Sequence, residues 1–197
     1  MYRKALEVIK SEHRTLAAVL HAMQHLVNEI RSGRIEPNFE LFAAILRYID
    51  AFPEKLHHPK EDEYLYRRMR ERSHDADAVL DRLQREHVEG VRLIRALEHA
   101  LVRYQAGGDQ AFPDFARRVD EYVEFNWKHM RTEEDQAMPA ALAVLGDEDW
   151  AEIDDAFGRN GDPLFGMENT RELDELFRRI VHLAPPPIGL GSEAPRR

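Results

Sequence analysis

The sequence predicts an all-α protein, an up-down-up-down four-helix bundle with a short C-terminal helical extension. Three observations support this prediction. Apolar residues recur at intervals of three and four along four long segments. Glycine or proline breaks separate these segments, and no segment alternates apolar and polar residues as a half-buried strand does. Four helices of about 25–35 residues joined by short turns pack most simply as antiparallel neighbours.

The first two predicted helices have clear boundaries. The first carries apolar residues at a strict three-four spacing and ends at Ser32-Gly33. Its stripe consists of Leu6, Ile9, Leu16, Leu20, Met23, Val27 and Ile30, with His13 in the same series. The second helix begins after Asn38, a residue type that caps helices. Pro53 and Pro59 fall inside it, so we expect a kink or a local break there.

The third helix is predicted from about Asp75 to the Gly107-Gly108 pair, a typical C-terminal signal. Pro113 suits the first turn of the fourth helix, which continues to about Val144. We therefore divide the chain into a bundle, residues 1–145, and a C-terminal extension with a Pro-rich tail, residues 146–197.

The extension is predicted to be helical in two places. Asp149–Phe157 indicates one short helix, and a second is expected from Thr170 to about Leu183. The tail that starts at Pro185 is expected to be extended or disordered. We expect this region to dock on the bundle and to contribute no chemistry.

Composition excludes several function classes. The 197 residues carry 28 Lys and Arg against 37 Asp and Glu, a net charge of −9, and phosphate contacts need a basic surface, which argues against a nucleic-acid partner. The lack of cysteine excludes disulfides, Cys-ligated zinc, iron–sulfur clusters and thiol nucleophiles. No apolar run approaches a membrane span, and the N-terminus lacks a secretory signal, so we expect a cytoplasmic protein without a membrane partner.

Histidines interrupt the apolar stripes, one on each predicted helix. They are His13, His57, His87 and His129. Glu61 and Glu133 follow the second and fourth of these histidines by four residues, so each His–Glu pair points the same way into the core. At 1.5 Å per residue, antiparallel helices would place all four histidines about 15–21 Å above the same end of the bundle.

The two halves of the chain repeat this pattern faintly. In each half a Glu-His pair precedes a segment with the order His-x-x-x-Glu-acid. The pairs are Glu12-His13 and Glu86-His87, and the segments are His57 to Asp62 and His129 to Glu134. The repeat suggests a pseudo-two-fold bundle.

Six buried ionisable groups need compensation, because each uncompensated ion costs several kcal/mol. Metal ions would provide it: four imidazole nitrogens and two bridging carboxylates suit two cations and leave positions open for a small ligand. A nitrogen and oxygen donor set without thiolate favours iron, with manganese and zinc as alternatives.

Nearby polar residues have simpler interpretations. On an α-helix His58 lies about 100° from His57. We therefore expect His58 either to be solvated or to contact a metal-ligating side chain without binding the metal itself. Asp62 and Glu134 are most simply solvated acids, and the alternative is that they hold a ligating imidazole. Glu54-x-x-His57 fits half of a ferritin-type di-iron pattern, but the second half is missing.

The same segments resemble the hemerythrin-like family, whose HHE cation-binding domains are four-helix bundles with a di-iron centre. They are Glu12-His13, the run HHPKEDE from His57, Glu86-His87 and the run HMRTEE from His129. The resemblance implies two iron ions with Glu61 and Glu133 as bridges. The implied ligands are His13, His57, Glu61, His87, His129 and Glu133.

Two positions differ from oxygen-carrying members of that family. Val91 stands where they have a histidine four residues after the helix-three ligand, and the second bridging carboxylate is Glu133 rather than Asp. A set of four His and two Glu is similar to members implicated in sensing, iron handling or the repair of nitrosative and oxidative damage.

The leading hypothesis is a metal-binding protein with a non-haem di-iron centre that binds, senses or reacts with a small oxidant such as dioxygen, peroxide or nitric oxide. One alternative is an iron-dependent redox enzyme or an iron donor in oxidative or nitrosative damage repair. Another is a zinc-stabilised or metal-free helical interaction module. A protein partner or a homo-oligomer is compatible with each of these.

Overall fold

The computed structural model describes residues 3–158, 175, 178–184 and 189–190. Within these residues the chain is almost entirely helical and contains no β-strand. The predicted all-α class is therefore confirmed, while the up-down-up-down order stays a prediction. None of the helices in these ranges combines the length and the apolar character that a membrane crossing requires.

The first helix, α1 (Lys4–Arg31), ends as the sequence predicts. Gly33 follows it with a φ of 69°, a left-handed conformation that glycine adopts without a steric penalty. The Asn38 side chain then accepts a hydrogen bond from the N–H of Leu41 at 3.0 Å, which confirms Asn38 as the cap of the next helix.

Residues 39–72 form one continuous helical path whose winding changes along its length. Its parts are α2 (Phe39–Ile49), the π-helical segment π1 (Asp50–His57), α3 (His58–Lys60), the π-helical segment π2 (Glu61–Tyr66) and α4 (Arg67–Arg72). Pro53 lies inside π1, and Pro59 lies in the first turn of α3. The expected local break thus takes the form of widened turns, and the path continues through both prolines.

The second half of the bundle follows the predicted boundaries. Helix α5 (Asp77–Gly107) ends at Gly108, which has a φ of 62°. Helix α6 (Phe112–Thr132) has Pro113 in its first turn. The π-helical segment π3 (Glu133–Ala137) and α7 (Met138–Val144) continue it to the predicted end.

Two hydrophobic clusters fill the core, and every long helical path passes through both. The first cluster includes Leu20, Ile45, Leu97 and Val119. The second includes Ile9, Leu65, Leu83 and Ala141. Helix α5 packs against α6 and α2, and α1 packs against α6, α2 and α8.

Helix α8 (Asp147–Gly158) confirms the first helix predicted in the extension and begins two residues earlier. It packs against α1 and π2 and adds Trp150, Ile153 and Phe157 to the second cluster. Residues 178–183 are also helical, with Ile180 buried. The predicted helix start at Thr170 and most of the tail from Pro185 lie outside the described residues. Within that tail the N–H of Leu190 donates a hydrogen bond to the carbonyl oxygen of Val181 at 2.7 Å. The division at residue 145 stays a prediction.

An ion pair between a buried carboxylate and a half-exposed arginine anchors α8. The Asp149 carboxylate accepts hydrogen bonds from Arg72 at 2.9 and 2.8 Å and from the N–H of Gly146 at 3.0 Å. The Arg72 hydrogen bonds, together with that of Gly146, hold the pKa of Asp149 below its usual range.

We expect Asp149→Asn to lower the free energy of unfolding by about 1–3 kcal/mol, because it removes a charged acceptor from a buried, fully bonded position. Chemical denaturation measures the change. Asp147→Asn is the matched control, since Asp147 also pairs with an arginine, Arg3, but its side chain is 79% exposed; its loss should be about 0–1 kcal/mol. Equal losses in the two variants would contradict the prediction.

Candidate metal centre

Seven buried histidine and glutamate side chains meet between the two hydrophobic clusters and form what we term the polar layer. Its members, none more than 6% exposed, are His13, His57, His58, Glu61, His87, His129 and Glu133. On α1, Ile9 belongs to the second cluster and Leu16 to the first, with His13 between them. The structure thus brings all six predicted ligands together, and their role as ligands stays a prediction.

The polar layer contains two groups of potential ligand atoms. In one group, candidate donor atoms of His13, His57, Glu61 and Glu133 all lie within 4.8 Å of one another. In the other, the same holds for His58, His87 and His129. Each group has a size that could hold one metal ion.

The two glutamates face both groups. Glu133 places Oε2 3.1 Å from Nε2 of His13 and Oε1 3.2 Å from Nε2 of His129. Glu61 places Oε1 3.4 Å from Nε2 of His57 and Oε2 3.6 Å from Nε2 of His87. Each carboxylate therefore turns one oxygen to each group, as a bridging ligand does.

The opposite nitrogen of each predicted histidine ligand, Nδ1, contacts a carboxylate from another helix. The pairs are His13 with Glu134 at 2.9 Å, His57 with Glu12 at 2.8 Å, His87 with Asp62 at 3.1 Å and His129 with Glu86 at 3.0 Å. Such contacts fix the orientation of a ligating imidazole and raise its basicity.

These four outer carboxylates form a closed ring around the bundle. Glu12 on α1 contacts His57 in residues 39–72, and Asp62 in those residues contacts His87 on α5. Glu86 on α5 contacts His129 on α6, and Glu134 on π3 contacts His13 on α1. The side chains of Asp62 and Glu134 are 34% and 42% exposed, as the simpler interpretation of solvated acids expects, and their contacts with His87 and His13 fit the alternative role in holding an imidazole. Their partners come from other helices, so the periodicity of one helix could not identify them.

The two inner glutamates have opposite protonation tendencies. Burial, with the Glu133 carboxylate beside it, raises the pKa of Glu61 well above its usual value. Burial also acts to raise the pKa of Glu133, but the imidazoles of His129, His13 and His87 outweigh it and lower that pKa. The Tyr66 hydroxyl donates a hydrogen bond to Oε1 of Glu133 at 2.7 Å, a contact that sequence periodicity gave no reason to expect.

Five atoms that face the centre lack a hydrogen bond of good geometry. They are Nε2 of His13, His87 and His129, Oε2 of Glu61 and Oε2 of Glu133. Buried polar atoms without partners cost about 1–3 kcal/mol each. A metal ion bound by nitrogen and oxygen would satisfy them, and this donor set fits iron, manganese or zinc.

The expectation that His58 is solvated is wrong. Its side chain is buried, and its ring lies 4.3 Å from that of His87 and 5.2 Å from that of His129. His58 follows directly on π1, and a π-helical turn contains more residues than an α-helical turn, so consecutive side chains diverge less. Burial lowers the pKa of His58 well below its usual value, which keeps the imidazole neutral.

A groove of about 920 Å³ lies between α1 and α6 beside this centre. His13 and Glu134 are among its lining residues, and Ala17, Trp127 and Met130 contribute apolar surface. His13 is therefore the member of the polar layer that the groove reaches.

Residues 4–141 match the sequence profile of the hemerythrin HHE cation binding domain. The chain belongs to the hemerythrin HHE family. No curated protein and no solved structure matches it. The matched region of the HHE domain contains the whole polar layer and ends in α7, so α8 lies beyond it. The HHE domain thus carries a buried His and Glu cluster that could bind metal.

We expect Glu86→Ala to weaken metal binding by about 10–100-fold, because His129 loses the carboxylate that orients it. Competition with a chromophoric chelator measures the affinity. Glu89→Ala is the control on the same helix, since the Glu89 carboxylate accepts hydrogen bonds from the surface residue Arg92. Equal affinities in the two variants would count against the outer-carboxylate role.

Metal uptake should release protons at pH 7. Burial lowers the pKa of His129, but the Glu133 and Glu86 carboxylates outweigh burial and raise it to about 10. A ligating imidazole nitrogen must be unprotonated, so a cation has to displace this proton and affinity should rise as pH increases towards 10. Calorimetric titration with Zn²⁺, a redox-stable probe, in two buffers of different ionisation enthalpy measures the release. Identical observed binding enthalpies in the two buffers would contradict the predicted proton release.

Proposed function

We propose that this HHE protein holds a non-haem di-iron centre that binds, senses or reacts with a small oxidant such as dioxygen, peroxide or nitric oxide. The bridging disposition of Glu61 and Glu133 carries the proposal, since each turns one oxygen to either group of histidines. Two buried carboxylates that each face two imidazole sets suit a pair of cations better than one.

The ligand assignment follows the two groups. His13 and His57 would hold one ion, His87 and His129 the other, and the two glutamates would lie between them. Iron in such a nitrogen and oxygen environment supplies redox change and small-ligand binding, chemistry that these side chains lack by themselves. The outer carboxylates keep the imidazoles in place whether or not a small ligand is bound.

The order of the clusters along the chain supports the proposed up-down-up-down arrangement. Helix α1 passes from the second cluster to the first, and residues 39–72 pass from the first to the second. Helix α5 repeats the direction of α1, and α6 with its continuation repeats that of residues 39–72. Alternating directions place one histidine of each helix at the same level.

A small oxidant would approach the centre through the groove between α1 and α6, because His13 and Glu134 are among the residues that line it. Trp127 and Met130 supply apolar surface there.

We expect anaerobically loaded protein to contain two iron ions per chain and to change its visible spectrum on exposure to air, and His57→Ala to contain fewer. The alanine variant loses one imidazole of the first group. Iron analysis and absorption spectroscopy measure both effects. His99→Ala, which removes an exposed histidine, should behave as the wild type. Well under two irons at full loading, with no difference in His57→Ala, would reject the proposal.

A further inference from the structure

The polar layer contains an imidazole that the six-ligand site leaves without a role. His58 is 4% exposed, and its candidate donor atom lies within 4.8 Å of those of His87 and His129. A buried histidine with no function is costly unless both ring nitrogens are satisfied. The Nδ1 of His58 makes no hydrogen bond of good geometry within the described part of the chain.

Like the four predicted histidine ligands, His58 has a carboxylate near its Nδ1. Each of those has a carboxylate beyond Nδ1, at 2.8–3.1 Å. For His58 the corresponding group is Glu54, one helical turn earlier, whose Oε2 lies 3.4 Å from Nδ1. All five imidazoles of the layer thus have a carboxylate oxygen within 3.4 Å of Nδ1, and at His58 this contact is longer than the hydrogen bonds of the other four.

Residues on neighbouring helices fix the position of the Glu54 carboxylate. Its Oε1 accepts a hydrogen bond from the Tyr122 hydroxyl at 3.0 Å. A Cβ at Gly90 on α5 would lie only 2.8 Å from that same oxygen, so the lack of a side chain at Gly90 makes room for the carboxylate. Burying a carboxylate is costly, and the arrangement indicates a dedicated partner for His58.

We propose that His58 is a fifth imidazole ligand of the centre, bound to the ion that His87 and His129 hold, with Glu54 as its outer carboxylate. This proposal rests on the proposed di-iron function.

The consequence is that the two ions differ. One would have three imidazoles and the other two, His13 and His57, with Glu61 and Glu133 shared between them. The ion with fewer protein ligands is then the one beside His13, the residue that the groove between α1 and α6 reaches.

The test loads the full chain with ⁵⁷Fe and compares Mössbauer spectra. Wild-type protein should give two quadrupole doublets of equal area, since the two irons have different numbers of imidazoles. In His58→Ala the doublets should converge, and one of the two irons should bind at least about tenfold more weakly in chelator competition. His99→Ala is the matched control and should leave both readouts unchanged.

A second measurement uses the wild-type protein and so does not depend on whether the His58→Ala variant folds. In a crystal structure of the Zn²⁺-loaded wild type, the His58 Nε2 should lie about 2.0–2.1 Å from one ion. Two bound ions with His58 away from both, or wild-type doublets and affinities in His58→Ala, would overturn the proposal and leave the di-iron function standing. A wild type that binds no pair of ions would reject both.

Discussion

The structure depends on one constraint, the burial of a charged layer between two hydrophobic clusters. Histidines and glutamates occupy a level of the core where every helix would otherwise place apolar side chains. Each of the four predicted histidine ligands faces an inner carboxylate on one side and an outer one on the other. The layer is tolerated because its charges face one another, and the unsatisfied inner atoms explain why cations suit it.

The helices that carry two inner ligands differ in winding from those that carry one. His57 and Glu61 lie where π1 ends and π2 begins, and Glu133 begins π3. Helices α1 and α5, which contribute one inner histidine each, are regular throughout. Widened turns occur often at functional sites, and here they coincide with the places where several side chains of one helix must point inward together.

The sequence sufficed for features set by local rules. Asn38 as a cap, Gly108 at a helix end and Pro113 in a first turn each follow from the chemistry of one or two residues. The inner histidines were found because they interrupt a regular apolar stripe. The expectation of a solvated His58 is wrong because it assumes 100° per residue, which does not hold beside a π-helical segment. The alternative, that His58 contacts a metal ligand from outside, stays untested. The partners of Asp62 and Glu134 lie on other helices, and no single-helix pattern encodes them.

The ring of outer carboxylates bears on how such a bundle could arise. Two of its links, from Glu12 and from Glu86, stay within one half of the chain, whereas those from Asp62 and Glu134 cross between halves. A single helical hairpin, such as α1 with residues 39–72, would leave Asp62 without its partner His87 and His13 without its partner Glu134. Two copies of one hairpin, associated as a homodimer, would satisfy all four links, so duplication and fusion of a self-pairing ancestor would preserve the ring without inventing a new contact.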